Sequence, residues 1–145
     1  MRMTLQLTND MEECEKLFRL MCFNVFAHNR DDHSKNFSWL YLEKEQRWVL
    51  SLAYDLTYSS SIGGEHATTV HGNGNNPGLS DILQVAKGIG IGSRKAKNIA
   101  NDVRDCVQIR LRKYLAGSRA FSLLRLYCHF EAGPKSGRRF KWIRS

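Results

Sequence analysis

His28-Asn29-Arg30-Asp31-Asp32-His33-Ser34-Lys35-Asn36 is a run of nine polar residues with neither helical nor strand periodicity, set between two regularly patterned segments. It limits the fold more than any other feature of the chain. A block with no apolar face cannot enter a core, so it must lie at a surface and be held by what flanks it. Before it, Met11, Cys14, Phe18, Met21 and Val25 recur at spacings of three and four, and Leu17 and Cys22 widen the stripe. This spacing predicts an amphipathic helix over about 10–27. Thr8-Asn9-Asp10 offers N-cap side chains, and Glu12 and Glu13 suit the positive end of a helix dipole. After the block, Phe37, Trp39 and Tyr41 alternate with Ser38, Leu40 and Leu42, a polar turn follows, and Trp48 to Tyr54 reads as a second strand. A hairpin over 37–54 is expected, with Trp39 and Trp48 packing across it rather than stacking on a ligand.

The rest of the chain divides into a loop and two helices. Residues 56–78 hold five glycines and Pro77 among many Ser, Thr and Asn. A loop of that length in a compact domain is usually functional or disordered. Leu79-Ser80-Asp81 begins a helix with Ile82, Leu83, Val85 and Ala86 on its apolar side. Gly88, Gly90 and Gly92 interrupt it, and Ser93 then caps a helix to about 113 with Ala96, Ile99, Ala100, Val103, Cys106, Val107 and Leu111 inward. Beyond 113 the periodicity degrades.

Composition closes off several classes. With 145 residues, 42% hydrophobic and 25% charged, the chain suits one globular domain and not a fibrous repeat or whole-chain disorder. No apolar span approaches the roughly 18 residues that cross a bilayer, and the first ten residues show no secretory signal. Cys14, Cys22, Cys106 and Cys128 form no CxxC pair. On one helix Cys14 and Cys22 stand roughly 12 Å apart, too far for a disulfide. Reduced thiols and a cytoplasmic location are expected, with no membrane partner. His28, His33, His66 and His71 lack zinc-ligand spacing.

The net charge of +8 is unevenly placed. Residues 1–113 hold 15 Lys/Arg against 13 Asp/Glu, a net of +2, while 114–145 hold 7 against the single Glu131, a net of +6. Two regions are therefore expected, a folded domain over 1–113 and a poorly ordered or atypical basic tail over 114–145.

The polar block has the makings of phosphoryl transfer. That reaction needs a carboxylate to accept the proton of the attacking hydroxyl and oxygen ligands to hold Mg²⁺ on the phosphates. Asn36 stands five residues after Asp31, a hairpin follows at once, and Asp55 leaves its second strand. A hairpin returns its end to its start, so Asn36 and Asp55 can meet at one metal. Base, amide, hairpin and acid in this order are what a protein-kinase C-lobe shows. Taken alone, the loop also suits a solvated turn whose polar side chains bond to backbone.

The run Phe23-Asn24-Val25-Phe26-Ala27-His28-Asn29-Arg30-Asp31-Asp32-His33-Ser34-Lys35-Asn36-Phe37-Ser38 resembles the catalytic segment of the HipA-like serine/threonine kinase toxins. So do Leu52-Ala53-Tyr54-Asp55-Leu56-Thr57, Gly63-Gly64-Glu65-His66 and Asn76-Pro77-Gly78-Leu79 with the two helices after it, a resemblance covering about residues 4–113. It implies a mainly α (α+β) fold, a kinase-like C-lobe of helices with one catalytic β-hairpin. It further implies Asp31 as catalytic base, with its neighbour Asp32 an alternative one residue away. Asn36 and Asp55 would be the Mg²⁺ ligands, and His33, Ser34, Lys35 and Tyr54 would line the ATP phosphates. The implied setting is a type II toxin–antitoxin system, with a protein substrate and a HipB-type antitoxin through which any DNA contact would be indirect.

No Gly-rich lid or strand-borne lysine precedes Asp31. The chain is thus expected to be a truncated or split kinase lacking its N-lobe, inactive or very weak alone. The competing reading is a non-catalytic fragment that binds a partner protein, or DNA weakly. Gly90-Ile91-Gly92-Ser93-Arg94-Lys95-Ala96 resembles a helix-hairpin-helix turn, whose glycines let backbone N–H groups approach a phosphate beside Lys97. The same glycines also suit a plain connection between two packed helices.

Overall fold

The computed structural model describes residues 1–59 and 63–115, with 110–115 as backbone alone. Four α-helices and one antiparallel hairpin make up the described residues: α1 (Arg2–Thr8), α2 (Met11–Phe26), β1 (Trp39–Leu42), β2 (Arg47–Leu50), α3 (Leu79–Gly88) and α4 (Ser93–Leu115). A 3-10 turn spans Ser34–Asn36. The architecture is mainly helical, as expected, and no described helix is long and apolar enough to cross a membrane.

α1 is an addition to the expected elements. Asn9 ends it in the left-handed conformation (φ 51°), its N–H donating to Leu5 O. Asp10 then caps α2, accepting the N–H of Glu12 at 2.8 Å. The Thr8 hydroxyl donates to Thr4 O at 2.8 Å and accepts the Asp10 N–H at 3.2 Å. The three residues expected to compete for one cap therefore divide the work of closing one helix and opening the next.

The core is where α2, α3 and α4 meet. Phe18, Cys22, Phe23, Ile82, Ala86, Ala96, Ile99, Ala100 and Val103 are all buried within it. The expected stripe of α2 is correct at Cys14, Leu17, Phe18, Cys22 and Val25, but Met11 is 37% exposed and Leu20 and Phe23 are buried as well. α2 is thus covered on more than one side. Burial pushes the Cys22 thiol up to about 12, so it behaves as a small apolar group. Cys14 and Cys22 are free thiols.

The connection between α3 and α4 is turned by Gly90 (φ 85°) and anchored by the Ile91 N–H donating to Ala86 O at 2.9 Å. Ile91 is buried, and the Ala96 N–H bonds to Gly92 O, so the helix opens on Gly92 with Ser93 as its first residue. The Lys95 ammonium is paired with Glu15 of α2, which ties α4 to α2. α4 runs past the end expected near 113; the basic tail beyond Leu115 lies outside the described residues.

The hairpin is shorter than expected. Its register pairs Trp39 with Leu50, Leu40 with Val49, Tyr41 with Trp48 and Leu42 with Arg47. Trp48 therefore meets Tyr41, ring centroids 5.2 Å apart, and not Trp39. Leu40 and Tyr41 are about half exposed, and no residue of the two strands is fully buried, although Leu50 packs against the core. Its end is fixed to the helices by Glu13 of α2. That carboxylate is buried, accepts the Leu50 N–H at 2.7 Å and pairs with Lys16 at 2.5 Å.

Candidate functional site

The loop of residues 28–36 starts from a built helix terminus. The N–H of Asn29 donates to Asn24 O at 2.9 Å and that of His28 to Val25 O at 3.3 Å, with His28 at φ 52°. This is the paired reversal that closes many helices, with histidine in the left-handed position usually given to glycine. The Asn29 side-chain amide also donates to Asn24 Oδ1 at 3.1 Å, and both residues are buried. The chain leaves α2 in a fixed direction.

Residues 66–68 then grip the loop from outside. The Ala67 N–H donates to Arg30 O at 3.1 Å. Asp32 Oδ1 accepts the Thr68 N–H at 3.0 Å, Asp32 Oδ2 lies 3.0 Å from His66 Nδ1, and the Thr68 hydroxyl donates to the Asp32 carbonyl. Ser59 adds its N–H to His28 O at 3.1 Å. The glycine-rich segment 56–78 therefore supports the loop through Ser59 and residues 66–68. His66 and Thr68 were not among the expected site residues, and His66 lies deep, with its side chain 2% exposed.

Asp31 differs from its neighbour. Its side chain is 52% exposed, and His33 Nε2 lies 3.7 Å from Oδ1. The Asn36 amide donates to the Asp31 carbonyl at 2.6 Å and closes the loop on itself. That bond uses the nitrogen of Asn36 and leaves its oxygen as an acceptor. The Tyr54 hydroxyl donates to Lys35 O at 2.6 Å, which brings the exit of the hairpin against the loop. Asp55 follows, exposed and at φ 53°, a backbone conformation costly for a residue other than glycine and typical of functional positions.

The expected site residues thus fall into two linked groups. Asp31, His33 and Asn36 are brought together on the loop, and Lys35 is joined to Tyr54, the residue before Asp55. Ser34 and Lys35 are exposed, and no hydrogen bond joins Asn36 to Asp55 among the described residues. No three His, Cys, Asp or Glu side chains among the described residues gather as a metal cluster. The donors present, an amide oxygen and a carboxylate, are hard oxygen ligands of the kind Mg²⁺ takes in small number beside phosphate and water. His33 Nδ1 and Arg30 Nε are buried without a hydrogen-bond partner among the described residues. Behind the loop a cavity of about 590 Å³ is walled by Leu17, Met21, Phe37, Trp39 and Val85 with Asp32 and Ser34. Asp31, Asn36 and Asp55 do not line it, so the cavity meets the expected site residues through Ser34.

The model of the HipA-like C-terminal domain matches residues 1–110. The chain belongs to the HipA-like family. No curated protein and no solved structure matches it. The matched span takes in α1 to α3 of this HipA-like chain and α4 as far as residue 110, including the loop, the hairpin and residues 66–68.

Proposed function

We propose that this HipA-like chain is the catalytic lobe of a serine/threonine protein kinase that transfers a phosphoryl group from Mg²⁺-ATP to a protein hydroxyl. The observation that carries the reading is the pinned loop. Asp31 is presented to solvent while the Asn36 amide holds its carbonyl, and the Tyr54 hydroxyl ties Lys35 to the strand exit that carries Asp55. Asp31 is assigned as the base that takes the proton of the attacking hydroxyl. Asp32 is spent on His66 and Thr68 and is assigned no chemical role.

Asn36 and Asp55 would hold Mg²⁺ through oxygen, and His33, Ser34, Lys35 and Tyr54 would face the phosphates. Bound Mg²⁺-ATP supplies the transferable phosphoryl group and the charge that neutralises its oxygens. Lys35, exposed, would add a cation there, and Asp55 takes up its place with a left-handed backbone. A protein substrate and a HipB-type antitoxin are the partners this family reading carries.

Calorimetry with Mg²⁺-ATP and phosphate release at high protein concentration test the assignment. Asp31→Ala is expected to keep nucleotide binding and lose about 10²–10⁴-fold in turnover, the usual worth of a general base. Asn36→Ala and Asp55→Ala are expected to lose the Mg²⁺ dependence of binding. A chain that binds ATP equally with and without Mg²⁺, or an Asp31→Ala variant of unchanged turnover, would refute it.

A further inference from the structure

Two adjacent carboxylates of one loop have opposite environments, and a segment far along the chain makes the difference. Arg30 and Asp32 are both bonded to residues 66–68, through Arg30 O and through the carboxylate and carbonyl of Asp32. Asp31 lies between these two anchored residues with its own side chain 52% exposed. The gripping segment is itself fixed. The His66 N–H donates to Gly74 O at 2.7 Å, and Val70 and Asn73 exchange backbone bonds at 2.9 and 3.0 Å around His71 (φ 52°) and Gly72 (φ 82°). A Cβ at Gly74 would stand 3.4 Å from Thr69 Cγ2 and 3.5 Å from His66 O, so the turn lies close against the residues it returns to.

We propose that His66 is a positioning residue for phosphoryl transfer: its buried ring, with Thr68, holds Asp32 so that the Asp31 carboxylate is presented to the acceptor hydroxyl. The role rests on the kinase reading above. His66 touches no reacting group; it acts through the loop. Burial matters to this role. In a water-poor site the Asp32–His66 bond is not diluted by competing solvent, and removing the ring leaves a carboxylate with an unmet hydrogen-bond demand. A catalytic group displaced by about 1 Å can lose about 10²-fold in rate, so loosening the hold should act on turnover more than on nucleotide binding.

His66→Phe keeps the ring volume without the donor, and His66→Asn restores an N–H near the position of Nδ1. The full chain is examined by amide hydrogen exchange and by Mg²⁺-ATP turnover. In His66→Phe, exchange across residues 31–36 should quicken about tenfold while Ile99–Val103 in α4 stays as in the parent. Turnover should fall about 10–100-fold with KM for Mg²⁺-ATP within about twofold, and His66→Asn should recover most of both losses. If His66→Phe does not fold, Thr68→Val removes only the hydroxyl bond to the Asp32 carbonyl and should move both readouts the same way by a smaller factor. Unchanged loop exchange overturns the grip, as does a loss that His66→Asn does not repair or that lies wholly in KM. A parent chain that binds ATP equally with and without Mg²⁺ overturns the kinase reading instead, and with it the purpose of the grip, while the exchange result still decides whether the grip exists.

Discussion

The helical body and the 28–36 loop are held by opposite means. Between α2, α3 and α4, Phe18, Ile82, Ala96 and Val103 are sealed by apolar contact. Around the loop, the buried polar residues include Asn24, Asn29, Asp32 and His66, paired as Asn24–Asn29 and Asp32–His66. Apolar contact is non-directional and tolerates small shifts, whereas a hydrogen bond weakens steeply once its angle fails. The body therefore supplies stability and the loop supplies direction. A site built only from the first material would be stable and badly aimed.

The largest break in this comparison should come from the body. Phe18 is fully buried, so Phe18→Ala should cost about 3–5 kcal/mol in denaturant unfolding, a large part of what a domain of this size has. A cost near zero would mean that the α2–α4 contact is not the centre of the fold. The loop should respond to a finer cut. Asp32→Ala strands the Thr68 N–H and the His66 ring and should cost about 1–3 kcal/mol, whereas Asp31→Ala, one residue away, should stay within about 0.5 kcal/mol. Equal losses in the two variants would erase the distinction between a gripping and a presented carboxylate.

Sequence reasoning reached these two regions unequally, for a physical reason. The apolar spacing from Cys14 to Val25 and from Ala96 to Val107 reports burial directly, because a helix repeats its face every few residues. α1 was hidden because it is short, has no side-chain cap and draws its stability from lying on α2 and β2. The hairpin's alternation promised a buried face, but Leu40 and Tyr41 stand exposed, since period two reports a strand and not what covers it. At the site, the interval from Asp31 to Asn36 was visible and their contact follows it. The support was not. His66 and Thr68 lie 34 and 36 residues from Asp32, joined by no periodicity. Glu13, legible only as a helix-dipole residue, is a buried acceptor for the N–H of Leu50, 37 residues on. Directional bonds between distant segments leave no repeating mark, so the chemistry of the loop could be read where its scaffold could not.

The two regions join at the start of α3, and there the comparison meets its smallest test. Asp81 accepts the Gly78 N–H at 2.8 Å and the Asn73 side-chain amide at 3.1 Å, linking the turn that supports His66 to the helix that packs in the body. The Gly78 N–H, above all, holds the Asp81 carboxyl below its ordinary value of 3.8, with the Asn73 amide assisting. A carboxyl depressed by folding contributes its full stability above the unfolded value, and that contribution fades as pH falls through the folded one. Against Asp81→Asn, which cannot ionise, the parent chain should therefore keep a constant advantage above about pH 5 and lose it progressively below the ordinary carboxylate range. Thermal unfolding of both chains across that interval gives the measurement. Because Asp81 is partly open to solvent, the difference should be smaller than either effect above. An advantage that survives acid undiminished would mean that the charge plays no part in the link, and that the supporting turn and the helical body are joined by packing alone.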